Sequence, residues 1–215
     1  NQTIKEEQCV ILPVGVDPVS EVPKVKHRLV WCHTPERGLV HIARQWPEIL
    51  KRVPDATLAM TYGLERSWET NKWLMDTIAE YLLECREWKG RYADSIIDLG
   101  RANAEGVRQA QAEAEVASYP ADAPLPGIVT SLAVMECAAA GDAILLSELE
   151  GLPEVFRGVA GFLPVPIVER DWVEATVELL LNDERKAEMA KASREWAAER
   201  PWDAHSKRWQ ELVMG

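Results

Sequence analysis

The stretch Arg28-Leu-Val-Trp-Cys-His33, then Thr34-Pro-Glu-Arg-Gly38, then Leu39 to Leu50, decides the fold. Its first six residues are a short apolar run, the pattern of a buried strand. Pro35 and Gly38 make the next five a turn. Leu39, Ile42, Ala43, Trp46, Ile49 and Leu50 then recur at the spacing of one helix face. Pro47 predicts a kink or break there, because proline lacks the N–H and crowds the preceding turn.

The same alternation runs outward along the chain. Thr57 to Tyr62 is a second strand, closed by Gly63, and 67–88 a long helix carrying Trp68, Leu74, Met75, Ile78, Leu82 and Cys85. Ser95 to Leu99 is a third strand ending at Gly100, followed by a short helix over 103–113. Val116 to Tyr119 is a fourth strand, 120–127 a Pro- and Ala-rich loop, and 130–140 an apolar helix ended by Gly141. Ala143 to Leu146 is a fifth strand; 171–182, 184–199 and 201–213 read as helices. Strands alternating with helices predict an α/β fold with a parallel sheet covered by helices. Upstream, residues 1–24 mix apolar and charged stretches around Pro13, Pro18 and Pro23 and read as a lead-in or linker segment.

Composition bounds the function. With 215 residues, 47% of them hydrophobic, the chain can bury a sizeable core as one domain or one plus an appendage. Its net charge of −11 gives little attraction to phosphate backbones, so no direct nucleic-acid binding is expected. No apolar run has transmembrane length, and the first residues lack the layout of a signal peptide; a cytoplasmic location is expected. Cys9, Cys32, Cys85 and Cys137 form no CxxC, and His27, His33, His41 and His205 no HxxxH, so neither a metal site nor a disulfide framework is expected. Cys32 and His33, adjacent on a strand, point to opposite faces. Asp183-Glu-Arg-Lys186 reads as a solvated helix start, and the nine tryptophans as mostly core or domain-interface residues.

Parallel sheets bind ligands at the carboxyl ends of their strands, where strand order reverses. The candidate site is therefore the loops 33–38, 62–66, 99–103 and 120–131. The chain has neither GxGxxG nor GxxxxGK[ST], so no standard dinucleotide or P-loop cradle is supported.

Several stretches together resemble a known family. Leu12-Pro-Val-Gly-Val-Asp17, Glu36-Arg-Gly-Leu39, Ile96-Ile-Asp-Leu-Gly100, Met135-Glu-Cys-Ala-Ala-Ala-Gly141, Ala143 to Ser147, Gly151-Leu-Pro-Glu154 and the tail Trp202 to Leu212 follow one another in a recognisable order. They resemble the C-terminal, donor-binding domain of retaining GT-B glycosyltransferases, in the glycogen-synthase-like and mannosyltransferase-like group. The resemblance implies a Rossmann-like sheet with helices on both faces, half of a GT-B architecture. It assigns 25–200 to binding a nucleotide-sugar donor and 201–215 to a helix crossing toward an N-terminal acceptor domain in the same or another chain.

The resemblance also implies roles. Arg37 would pair with the donor diphosphate and neutralise the leaving group, which makes it the catalytic candidate. Glu136 would accept hydrogen bonds from the ribose hydroxyls. Thr130 and Ser131 start the helix whose N–H groups can hold phosphate. Gly15 is either a loop approaching the diphosphate or an ordinary linker turn. Tyr62, Gly100 and Arg101 lie where the base would stack or bond; for Tyr62 and Arg101, strand-end packing is the competing reading. His33 reads as a satisfied imidazole rather than a base. The chain has no Asp-x-Asp, so a metal-independent reaction with no cofactor beyond the nucleotide-sugar substrate is expected.

Two departures stand out. The family's motif has two glutamates eight positions apart, and eight before Glu136 is Ile128, beside Gly127. Asp122 is the nearest preceding carboxylate. The chain also supplies one domain where a GT-B enzyme needs two. The alternative is a non-catalytic module, derived from such a domain, that binds nucleotide or another protein.

Overall fold

The computed structural model describes residues 14–64, 72–122 and 130–214, without the side chains of 72–78. Six strands form one sheet: β1 (Arg28–Trp31), β2 (Thr57–Met60), β3 (Ile96–Asp98), β4 (Val116–Tyr119), β5 (Ala143–Ser147) and β6 (Ala160–Leu163). Their order is β3-β2-β1-β4-β5-β6, and every neighbouring pair is parallel. The α/β fold expected from the alternation is present, with one strand more than the pattern suggests. β6 is an edge strand only partly buried and carries Gly161, so its apolar run is short and broken.

The helices are α1 (Leu39–Arg52), α2 (Lys72–Arg91), α3 (Ala104–Glu113), α4 (Leu132–Ala140), α5 (Leu152–Phe156), α6 (Glu169–Leu181), α7 (Asp183–Ala198) and α8 (Trp202–Met214). α1 packs with α2 and α6, and α4 with α3 and α7. Right-handed crossovers running both ways from the centre of the sheet put these groups on opposite faces. Local signals set the helix ends. Asn103, Ser131 and Asn182 cap α3, α4 and α7 through their side-chain oxygens, and Gly141 ends α4 in the left-handed conformation.

Pro47 does not break its helix: α1 runs unbroken from Leu39 to Arg52. Leu39, Ile42, Trp46 and Ile49 are each no more than 2% exposed, on both sides of the proline. At about 1.5–3 kcal/mol per large apolar side chain, that burial outweighs the roughly 3 kcal/mol a proline costs inside a helix. The core continues through Leu29, Trp31, Leu58, Met60, Ile144 and Leu146 of the strands and Trp172 and Leu180 of α6.

The amino end of the sheet is tied by ion pairs. Lys24 Nζ lies 2.6 Å from Asp142 Oδ1 and donates to the Ala140 carbonyl at 2.9 Å. Lys186 Nζ lies 2.8 Å from Glu115 Oε2 and donates to the Leu180 carbonyl at 2.9 Å. The same Glu115 oxygen accepts from the His27 N–H. Lys186 is buried, which corrects the reading of 183–186 as wholly solvated. The residue lies on the inner side of α7, opposite the carboxylate that precedes β4.

The described part of the 1–24 segment lies on the domain. Val16 is buried and bridges to Pro201, its N–H donating to the Arg200 carbonyl at 2.8 Å. Trp31, Trp46, Trp88, Trp172 and Trp196 are core residues, as expected of most tryptophans. α8 is exposed along nearly all its length and displays Trp202, Trp209, Leu212 and Val213. Trp68, Leu12, Gly127 and Ile128 lie outside the described residues.

Candidate functional site

Strand order reverses between β1 and β4, the point at which open parallel sheets offer a ligand crevice at the strands' carboxyl ends. After β1 the chain makes one turn of 3-10 helix, Pro35–Arg37, and enters α1 through Gly38 at φ 109°. Gly38 needs to be glycine twice over. Its φ is left-handed, and a Cβ there would overlap the Pro120 carbonyl oxygen just after β4. The turn is therefore pressed onto the β4 exit. His41 Nε2, one turn into α1, lies 2.8 Å from Asp122 Oδ2 of the same exit. That pairing holds the Asp122 carboxyl below its ordinary pKa.

Arg37 sits at the mouth of this crevice. Its charge acts on Tyr119, the last residue of β4, and offsets part of the rise that burial gives the phenol's pKa. It acts likewise on His33 after β1, so its charge falls on the ends of both strands that diverge. The Tyr119 ring stacks on His33, with centroids 3.7 Å apart and planes 16° apart, and Trp31 packs edge-on against His33. Burial first, then the Arg37 charge, lowers the His33 pKa to about 3. The imidazole is neutral at physiological pH and no proton store, in line with the reading of His33 as a satisfied side chain. Cys32 turns the other way, to Cys137 of α4, whose thiol is pushed up in pKa by its hydrogen bond with Cys32 and by burial.

Two polar atoms of the expected site loops are buried without a partner among the described residues. Glu36 accepts from the Thr34 hydroxyl at 2.5 Å through Oε1, while its Oε2 has none; burial raises its pKa. Thr130 Oγ1, just before α4, is the other. Ser131 beside it is already engaged, accepting from the Val134 N–H at 3.3 Å as the cap of α4.

The remaining expected residues fall into three places. Glu136 lies on α4 and accepts from Gln111 Nε2 of α3 at 3.2 Å. Tyr62, Gly100 and Arg101 come together at the ends of β2 and β3. The Arg101 guanidinium sits 5.8 Å from the Tyr62 ring centroid, and Gly63 packs closely on Gly100. Gly15 lies away from these, buried against the backbone of Trp202, where a Cβ would sit 2.6 Å from the Trp202 Cα. The contact the structure gives it is with α8, which accords with the linker-turn reading.

Sequence reasoning read Gly38 only as a turn residue and missed Tyr119 and the His41–Asp122 pairing. Tyr119 had a signal, as the last residue of a strand entering a site loop, and Gly38 had one as the glycine closing a turn. The His41–Asp122 pair spans 81 positions and has no local signature. Among the described residues no group of three or more His, Cys, Asp or Glu side chains could hold a metal ion. No described helix is long and apolar enough to cross a membrane.

No family model and no curated protein matches the sequence. Solved structures do match the fold. A sucrose-phosphate synthase from Thermosynechococcus elongatus superposes with a TM-score of 0.69 at 16% identity, over 94% of this chain and 51% of its own. WaaG, a glycosyltransferase involved in lipopolysaccharide biosynthesis, gives 0.66 at 15% identity, over 98% of this chain and 58% of its own. The fold is that of half a GT-B glycosyltransferase. HepE from Anabaena, in a complex with UDP and glucose, gives 0.68 at 15% identity, over 88% of this chain and 48% of its own. The chain spans about half the length of each of these structures. In this GT-B half, the β1/β4 crevice that holds Arg37 is the point where the strand order reverses.

Proposed function

We propose that the chain is the donor-binding domain of a retaining glycosyltransferase that uses a nucleotide-diphosphate sugar. One observation carries the reading: Arg37, on the turn after β1, lies where its charge acts on both His33 after β1 and Tyr119 at the end of β4, which puts a cation at the reversal point. A diphosphate there meets that cation as charge builds on the leaving group, which lowers the barrier to breaking the sugar bond. Thr130 and Ser131, at the start of α4, add helix N–H groups. Glu136 reads the ribose, and Tyr62, Gly100 and Arg101 flank the base. The reaction uses no metal. The exposed Trp202, Trp209, Leu212 and Val213 of α8 suit a helix that crosses to an N-terminal acceptor domain.

Calorimetric titration of UDP, GDP and ADP, with and without a chelator, tests this. One of the three binds with or without the chelator, and Arg37→Ala weakens it at least about tenfold, the loss of a ~1.4 kcal/mol charged contact. Failure of all three to bind, or strict metal dependence, overturns the reading.

One observation favours the non-catalytic alternative. Asp122, the nearest carboxylate before Glu136, is paired with His41 at 2.8 Å rather than open to a sugar. A module that reads only the nucleotide binds UDP and UDP-glucose equally; a transferase domain distinguishes them.

A further inference from the structure

The lead-in segment is fastened to the domain near its two ends. The Val16 N–H donates to the Arg200 carbonyl at 2.8 Å, and Lys24 Nζ donates to the Ala140 carbonyl at 2.9 Å and meets Asp142 at 2.6 Å. Between these points, among the described residues, it makes one ion pair, Glu21 with Arg194 at 3.4 Å. Beside this span lies a cavity of about 350 Å³, walled by Val16 and Val19 of the segment, Ala139 of α4, Arg194 and Ala198 of α7, and Pro201 before α8. Small-ligand sites have volumes of roughly 300–1,000 Å³ and mostly apolar walls with a few charged groups. Water gains few hydrogen bonds on such a wall, so an apolar body displaces it favourably. Arg194 gives the cavity its chemistry. Its guanidinium lies in the space that a side chain at Gly141 would fill, so the left-handed glycine that ends α4 also seats this cation. A guanidinium carries five N–H donors, and here their contacts are long: the Ala140 carbonyl at 3.4 Å and Glu21, itself 75% exposed, at 3.4 Å. An exposed pair at that distance is weak and exchangeable. The arginine fork therefore has donors left for a carboxylate, which it can take in two parallel bonds. Asp17, the other charge on the wall, is exposed, so water screens it.

We propose that this cavity binds a carboxylate on a medium-length apolar chain, its head on Arg194 and its chain against Val16, Val19 and Ala139. The site is independent of the donor-site reading, since Ala139 is in the last turn of α4, a helix length from the Thr130 end. A ligand there bridges the lead-in segment to α4 and α7, and so fastens the segment where its own contacts are fewest.

The test titrates octanoate, below its micelle concentration, into the whole chain by calorimetry, with octanol and octylamine alongside and amide NMR shifts to locate binding. Octanoate binds with shifts at Val16, Val19 and Ala139, and amide exchange of Val16, Asp17 and Val19 slows. Arg194→Gln weakens octanoate about threefold to tenfold and leaves octanol unchanged. Ala198→Trp fills the cavity and removes the binding of both. Neither side chain is buried, so neither substitution opens the core. No octanoate binding, shifts elsewhere, an equal response of octanoate and octanol to Arg194→Gln, or octylamine as the tighter ligand overturns the proposal. A dimer in sedimentation that Ala198→Trp breaks gives the cavity to a second copy of the chain and overturns it likewise.

Discussion

At the amino end of the sheet Lys24 meets Asp142 at 2.6 Å and Lys186 meets Glu115 at 2.8 Å. At the carboxyl end Glu36 Oε2 and Thr130 Oγ1 are buried with no partner among the described residues, and the Arg37 charge bears on a neutral phenol. Both ends carry charged and polar side chains. The difference is in what satisfies them. At the base Lys24 and the buried Lys186 each have a carboxylate and a backbone carbonyl, so their charge closes the fold, while Asp142 Oδ2 is buried with no partner among the described residues. At the top, polar atoms are enclosed and oriented while capacity to bond remains, which is the condition of a site that receives a ligand.

The strongest way to break this contrast is Gly38→Ala. A left-handed φ costs an L-residue about 1–2 kcal/mol, and the overlap with Pro120 must be relieved by moving backbone, so the total is about 3 kcal/mol or more. Chemical denaturation measures it. A loss below ~1 kcal/mol would mean that the turn is not pressed onto the β4 exit. Lys186→Ala comes next. Its loss leaves Glu115 without its cation, and since Glu115 keeps some access to water the cost is about 2–3 kcal/mol, below a fully buried pair. UDP affinity per folded molecule stays unchanged; an affinity change would join the two ends that the comparison separates.

The two ends also respond to pH with opposite sign. His33 titrates at about 3 in the folded chain against an ordinary 6.5, so between these values the unfolded chain holds the extra proton and stability rises with pH. Asp142 titrates at about 7 against an ordinary 3.8, because burial outweighs Lys24, so between these values the folded chain holds the extra proton and stability falls as pH rises. Each slope approaches roughly 1.4 kcal/mol per pH unit where one proton separates the states. Denaturant melts from pH 4 to pH 8 resolve them. Asp142→Asn leaves stability rising between pH 4 and 6, and His33→Gln leaves it falling. Slopes of the same sign in the two variants would remove the contrast.

The smallest effect sharpens the comparison within the proposed site. Glu136→Gln keeps the side chain's shape and can still accept from Gln111, so the fold changes little. If the carboxylate reads the ribose, UDP weakens about tenfold, or ~1.4 kcal/mol, while a 2′,3′-dideoxy nucleotide is indifferent. Equal sensitivity of both nucleotides would limit Glu136 to its bond with α3.

The fold was legible because its signals are local. Arg28 to Leu50 shows a strand, a turn and a helix within 23 residues, and burial of one face enforces them. β6 escaped because Gly161 and half-burial weaken its pattern. The site was legible in part. Arg37 and Thr130 could be placed by the turn and helix start they occupy, and Tyr62 and Arg101 by the strands they follow. Tyr119 was passed over because its value lies in a ring stacked on a residue 86 positions earlier. Lys186 was misread for the same reason, since a charged run looks solvated until a carboxylate from another element faces it.

By itself, then, the sequence determined the alternation of strand and helix, the parallel sheet and the loops at its carboxyl ends, since hydrophobic periodicity and turn residues act over a few positions. Only the tertiary structure decided that α1 continues through Pro47, that Gly15 packs on α8, and that Tyr119 stacks on His33. Each of these depends on which distant atoms meet, and no local pattern carries that information.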